Sequence, residues 1–102
     1  EIGDVDAVFD APAHPYTQAL LSAIPIPDPA KERTRSRIIL EGDLPSPANP
    51  PSGCPFRTRC PKFANDLTDD ERLACVEAMP APSSLGADHG AACYYPEHAN
   101  VF

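Results

Sequence analysis

The sequence predicts a small, irregular α+β fold with one N-terminal helix, a short pair of strands, a proline-rich strap and a C-terminal lobe stapled by four cysteines. Three observations lead to this prediction. Fourteen of the 102 residues are proline, against a usual share of about one in twenty, and this disfavours long helices and a broad sheet. The hydrophobic share of 42% is ordinary to slightly low. All four cysteines lie in the C-terminal half.

The N-terminal helix is predicted over residues 14–24. Pro15 suits the first helical position, because its missing N–H has no partner there and its φ is already helical. Apolar residues recur at i, i+3, i+4, i+7 and i+8, which places them on one face. They are Tyr16, Ala19, Leu20, Ala23 and Ile24. Pro25 ends the helix, since a proline disfavours α geometry in the residue before it.

The segments on either side of this helix are short or irregular. Before it, Val5, Val8 and Phe9 fit one amphipathic turn of helix. After it, residues 37–42 combine β-branched residues with a closing Gly-Asp and predict a short strand. Residues 44–53 contain four prolines and are expected to form an extended strap.

The C-terminal half contains a second predicted helix, from Asp69 to about Met79. Thr68 and Glu71 have the spacing of a capping box, in which each side chain bonds the backbone N–H of the other. The acidic cluster at this helix start is interpreted as capping and solvation rather than as a pair for hydrolysis. Residues 83–90 are expected to be a loop that leads to the last cysteine.

Charge and missing motifs exclude several functions. A net charge of −7 argues against a nucleic-acid partner, which requires a basic face. The chain contains no P-loop, no dinucleotide-binding glycine motif, no zinc-protease motif and no nucleophile elbow, so we expect no active site in this chain. His14 has no acid or nucleophile at useful spacing, so a capping or packing role is expected for it.

The start of the chain and its hydropathy suggest a piece of a larger intracellular protein. The sequence does not begin with methionine, has no signal-peptide pattern and has no apolar run of the roughly 18 residues that cross a bilayer. Without a signal peptide, cysteines are expected in a reducing compartment, where metal or cluster ligation is commoner than disulfides.

The four cysteines are the candidate site, with spacing C-x5-C-x14-C-x17-C. They are Cys54, Cys60, Cys75 and Cys93. Four thiolates can hold a tetrahedral zinc ion or an iron–sulfur cluster. Metal or cluster ligation ranks first, two disulfides second and four inert thiols third. His89 and His98 are possible substitute ligands, although a single loop histidine is more often hydrogen-bonded or solvated.

Two sets of motifs resemble those of the ATP-binding subunits of oligopeptide and dipeptide ABC importers. The first is the N-terminal E-x-G, V-F and HPYT-x-x-L-L pattern, which runs from Glu1 to Leu21. The second is the G-D-x-P-S-P and G-C-x-F-x-x-R-C-P pattern of residues 42–61, followed by H-x-x-A-C at residues 89–93. The 14 residues between Cys60 and Cys75 exceed the usual family length, and the extra residues, around Asn65 to Ala74, predict a short helical insertion.

The resemblance implies an accessory, regulatory C-terminal domain of a peptide-importer subunit at the cytoplasmic face of the cell membrane. Residues 1–25 would be the tail and linking helix of the nucleotide-binding domain, and residues 26–102 the accessory domain. The implied partners are that domain, a second ATP-binding subunit and the membrane permease subunits. ATP and Mg would bind upstream. The implied cofactor is a [4Fe–4S] cluster on the four cysteines, or in the isolated piece zinc or disulfides. The alternative is a zinc-stapled protein-interaction module unrelated to transport.

Overall fold

The chain is α+β, with short helices around one small sheet. In the computed structural model the described residues are 1–25, 27–35, 37–42, 44–86, 88–99 and 101. Their helices are α1 (Val5–Asp10), α2 (Pro15–Ser22), α3 (Pro29–Thr34), α4 (Pro61–Asn65) and α5 (Asp69–Glu77). Their strands are β1 (Ile2–Gly3), β2 (Ser83–Gly86) and β3 (His89–Ala91). Ile26, the predicted start of the second domain, and Asp43, predicted to close the strand, lie outside the described residues.

The sheet joins the two ends of the chain. It is antiparallel with order β1-β3-β2, and Ile2 lies opposite Gly90. The prediction of a loop at residues 83–90 is therefore wrong. The strands are two to four residues long and consist mainly of glycine, serine and alanine, which are not the β-branched and aromatic residues that indicate strands. The pairing of β1 with β3 is also long-range, so local patterns do not reveal it.

The predicted strand at residues 37–42 is also wrong, because this segment forms no ladder. Its backbone binds the end of α2 instead. The backbone N–H of Ile38 donates to the buried hydroxyl of Ser22 at 3.0 Å, and the Arg35 guanidinium donates to the carbonyls of Leu21 and Ile24. These bonds hold the segment against the C-terminal end of α2. The following residues 44–53 contain neither helix nor strand.

Helix α2 is present, but the side of it that is buried is only in part the apolar side that the sequence predicted. Its buried side chains are Pro15, Ala19, Leu21 and Ser22. Tyr16, Leu20 and Ile24 are 40, 52 and 43% exposed. The larger apolar residues of the predicted stripe are therefore partly exposed, and Leu21, which lies outside that stripe, is buried instead.

Helix α5 begins with the predicted capping box. Thr68 Oγ1 accepts from the backbone N–H of Glu71 at 3.3 Å, and the Glu71 carboxylate accepts from that of Thr68 at 2.9 Å. Helices α3 and α4 are additional to the prediction, and both begin with proline after a capping residue, Asp28 or Cys60. Among the described residues, no helix has the length and apolarity that a membrane span requires.

Candidate functional site

All four cysteines line one small cavity of about 20 Å³. Cys54 follows the strap, Cys60 caps α4, Cys75 lies within α5 and Cys93 follows β3. Four separate segments thus meet at this point. Cys75 is buried, and the other three thiols are half-buried.

The end of the strap is held against α5 by backbone contact. The N–H of Cys54 donates to the carbonyl of Cys75 at 2.8 Å. The contact is possible because residue 53 is glycine: its φ is +65°, and a Cβ there would lie 2.1 Å from the Cys75 carbonyl oxygen. Gly53 therefore sets the approach of the strap to α5.

The surroundings of the thiols favour their neutral form. Burial raises the pKa values of Cys60, Cys75 and Cys93, and neighbouring thiolates would raise them further. A backbone N–H, from Phe63 at 3.5 Å to the Cys60 sulfur, opposes this only in part. At neutral pH these cysteines are therefore thiols, which pack as small apolar groups.

The cavity is closed on one side by residues that follow Cys93. The Tyr94 hydroxyl donates to the carbonyl of Ala78 at 2.7 Å, and the Tyr95 hydroxyl donates to that of Glu71 at 2.9 Å. The Lys62 ammonium donates to the Tyr95 carbonyl at 2.6 Å. Together these bonds fasten the C-terminal segment to α4 and α5.

A buried carboxylate–histidine pair, the Glu1–His89 clasp, lies beside this region. The Glu1 carboxylate pairs with the His89 ring, and the two side chains are 1 and 6% exposed. The carboxylate also accepts from the backbone N–H groups of Ala13, at 3.0 Å, and His14, at 2.9 Å. Burial alone would raise the Glu1 pKa, but the hydrogen bonds outweigh it and lower that pKa overall.

His14 connects the clasp to the cysteine cavity. Its Nδ1 accepts from the Tyr16 N–H at 3.0 Å, so the predicted capping role is confirmed. The ring hydrogen-bonds the backbone of Ala92, lines the cavity and lies 5.9 Å from the Phe56 ring. Burial lowers the His14 pKa, which keeps Nδ1 free to accept.

The two candidate substitute ligands have other partners. His89 is held by Glu1, and His98 Nδ1 donates to the carbonyl of Ala11 at 2.7 Å. Neither residue is among those that line the cavity. Sequence reasoning missed Glu1, because its partners are 12 to 88 residues away. Only the H-x-x-A-C pattern, read with the N-terminal E-x-G, pointed to both ends of the clasp.

The E-x-G and H-x-x-A-C patterns thus meet in the folded chain. Comparison with known proteins identifies the family. Residues 1–65 match the family described as "Oligopeptide/dipeptide transporter, C-terminal region". The chain therefore belongs to this family.

Its relatives are transport ATP-binding proteins. The chain is 46% identical over 101 residues to the putative oligopeptide transport ATP-binding protein YkfD of Bacillus subtilis, covering 99% of this chain and 28% of that protein. It is 50% identical over 93 residues to the oligopeptide transport ATP-binding protein OppF of Haemophilus influenzae, covering 91 and 26%. It is 64% identical over 61 residues to OppF of Salmonella typhimurium, covering 60 and 18%. The chain thus spans less than a third of these relatives. No solved structure matches it.

The expected iron–sulfur cofactor is wrong. The relatives are named as ATP-binding proteins, and within the described ranges no group of three or more His, Cys, Asp or Glu side chains is placed to hold a metal ion. The physical reason is that spacing along the chain does not determine whether sulfur atoms converge tetrahedrally. The zinc-stapled module unrelated to transport is likewise not supported, since the family match assigns the chain to transporters.

Proposed function

We propose that this chain is the accessory C-terminal region of an ABC-transporter subunit that powers the import of oligopeptides or dipeptides. The match of residues 1–65 to the transporter C-terminal family carries the proposal. Two motifs within that match also contact each other in the structure, because the backbone N–H of His14 donates to the Glu1 carboxylate. Such a region is not itself catalytic in our proposal: ATP and Mg bind upstream of it.

The proposed setting is a complete importer. The partners are the nucleotide-binding domain of the same polypeptide, a second ATP-binding subunit and the membrane permease subunits. The subunit would lie peripherally at the cytoplasmic face of the membrane. The names of the relatives support this setting, because they describe oligopeptide transport and ATP binding together.

The function is tested by peptide uptake in cells. Deleting the full-length gene is expected to abolish accumulation of a labelled oligopeptide, and the intact gene is expected to restore it. A version truncated before Glu1 is expected to restore less than the intact gene. The purified full-length polypeptide should also bind labelled ATP. Normal peptide uptake after gene deletion, in a strain with no second copy, would contradict the proposal.

We further propose that the four cysteines act together as a single structural site that holds the strap, α4, α5 and the C-terminal segment in one lobe. Their shared cavity supports this role, as do the raised pKa values of Cys60, Cys75 and Cys93. Neutral thiols contribute apolar packing without requiring a bridge or a bound group. The cysteines are free in the structure.

Substitution of Cys75 tests this structural role. Cys75→Ala should lower the free energy of unfolding by about 1 kcal/mol through lost packing. Cys75→Ser should lower it by about 2 kcal/mol, because its hydroxyl would be buried in an apolar cavity. Denaturant unfolding measures both values, with Leu73→Ser as the control, because Leu73 lies on the same helix but is 52% exposed and does not line the cavity. Equal stability of the Cys75→Ser variant and the unaltered protein, or unfolding of the unaltered protein by a chelator, would be inconsistent with the proposal.

A further inference from the structure

A second cavity, the Arg59 cavity, is formed by the segment at residues 37–42 and by helix α4. Its volume is about 300 Å³, and its walls include Ile39 and Glu41 from the segment and Asn65 from the helix. The hydrogen bonds described above hold the segment to the end of α2, so this wall has a defined position. A volume of about 300 Å³ is at the lower end of the range for sites that bind small molecules.

Arg59 brings to this cavity a cation that the chain does not neutralise. Its Nε atom is buried and has no hydrogen-bond partner, and Arg59 takes part in none of the ion pairs of the described residues. The nearby Arg57 differs, since its guanidinium donates to the carbonyl and the hydroxyl of Ser52 at 2.9 and 3.1 Å. Buried polar groups are nearly always hydrogen-bonded. The exception at Arg59 therefore indicates a partner that the chain itself does not supply.

Glu41 adds a charge of opposite sign to the same cavity. It is exposed, whereas Arg59 is half-buried, and the ion pairs of the described residues do not include one between the two. The cavity therefore presents a cation and an anion at separate points. A phosphate dianion is disfavoured, because Glu41 would repel it. A zwitterion, which carries a carboxylate and an ammonium group, complements both charges.

The cavity around Lys62 shows the contrasting case. Its volume is similar, at about 320 Å³. The Lys62 ammonium, however, donates to the Tyr95 carbonyl at 2.6 Å and to the Glu97 carboxylate at 3.2 Å. The chain thus neutralises this cation by itself, and only the Arg59 cavity offers two charges that await a ligand among the described residues.

We propose that the Arg59 cavity binds a zwitterionic amino acid or short peptide, with its terminal carboxylate on Arg59 and its terminal ammonium on Glu41. The planar guanidinium matches a carboxylate, which it binds through two parallel hydrogen bonds. The Asn65 side chain supplies an amide donor in the same wall, and Ile39 supplies an apolar contact for the ligand's side chain. The choice of a peptide over a free amino acid rests on the proposed function, because the subunit would then bind its own imported product.

Calorimetric titration of the full-length polypeptide tests the site with ligands that differ by one charge. The probes are trialanine, its C-terminal amide, its N-acetyl form, free alanine and inorganic phosphate. We expect trialanine to bind, and the amide and the acetylated form to bind about tenfold or more weakly, since each loses a charge-assisted hydrogen bond. These comparisons use the unaltered protein and do not depend on the folding of a variant. Alanine that binds as tightly as trialanine would support the zwitterion site and overturn its assignment to peptides.

Substitutions then assign the two charges. Arg59→Gln is expected to weaken trialanine binding about tenfold or more and to leave the affinity for the amide unchanged, because the amide has already lost that contact. Glu41→Gln should act in the same way on trialanine and the acetylated form. The controls are Arg37→Gln and Glu97→Gln, whose side chains are 59 and 80% exposed in other ion pairs. Both controls should bind trialanine like the unaltered protein.

Three outcomes would overturn the site: no binding of trialanine to the unaltered protein, equal binding of its three forms, or equal binding by Arg59→Gln and the unaltered protein. Phosphate binding that requires Arg59, in the absence of trialanine binding, would also overturn it. Uptake of a labelled oligopeptide is measured in cells that depend on the same gene. Normal uptake together with failed trialanine binding refutes the site alone. Uptake that survives deletion of the gene refutes the proposed function, whatever the titration shows.

Discussion

Gly53→Ala is expected to lower the free energy of unfolding by about 3 kcal/mol or more, within the range of severe single substitutions. Two effects add. The φ of +65° is strained for a residue with a Cβ. The new Cβ would also lie 2.1 Å from the Cys75 carbonyl oxygen and 2.8 Å from the backbone of Val76. Because both contacts are with helix backbone, they cannot be relieved by turning a side chain, and the strap must move away from α5.

Gly86→Ala is the matched control for Gly53→Ala. Its φ is +137°, so alanine is strained there too, but no atom lies within 4 Å of the added Cβ. Because φ near +65° costs alanine less than φ near +137°, a larger loss of stability in Gly53→Ala than in Gly86→Ala reports the steric contact at the strap. Loss of the hydrogen bond from Cys54 to Cys75 should accompany it, as faster exchange of the Cys54 amide. Similar losses in both variants would show that the close approach of the strap to α5 contributes nothing.

The local elements of this fold could be predicted because their signals lie within a few residues. His14 caps α2 through the N–H of Tyr16, two residues away. Thr68 and Glu71 form their reciprocal bonds three residues apart. Capping depends on the side chain and the nearest backbone alone, so the sequence is sufficient for both.

The sheet and the clasp could not be predicted in the same way. Ile2 pairs with Gly90, and Glu1 pairs with His89, which are contacts across nearly the whole chain. At residues 37–42, local β propensity predicted a strand, but Ile38 found its hydrogen-bond partner in Ser22. An isolated segment forms no ladder without a neighbouring edge, and which edge is available depends on tertiary structure.

The cysteines likewise show what local sequence patterns cannot predict. Their number and soft chemistry indicated a shared site, and the structure places all four on one cavity. Whether the sulfur atoms could ligate a metal depended on orientation and ionisation, neither of which spacing determines.

Glu1→Gln is expected to lower the free energy of unfolding by about 3 kcal/mol, at the upper end of what a hydrogen bond to a charged group contributes. The Glu1 carboxylate is 1% exposed and receives bonds from His89, Ala13 and His14. A neutral amide keeps the size of the side chain but removes the charge that these donors stabilise. Glu97→Gln is the control, because the Glu97 side chain is 80% exposed in its pair with Lys62 and should change stability by less than about 1 kcal/mol.

The pH dependence of the Glu1→Gln effect separates charge from packing. The folded-state pKa of Glu1 is lowered from its ordinary value of 4.5, so the unfolded chain binds the proton more readily than the folded one. The stabilisation by the carboxylate is therefore complete above pH 4.5 and is lost as the pH falls through the folded-state pKa. The stability difference between the unaltered protein and Glu1→Gln should stay constant from neutral pH down to about 4.5 and should shrink as the pH falls from there to the folded-state pKa. A difference that persists undiminished in strong acid would mean that the clasp acts through shape rather than through charge.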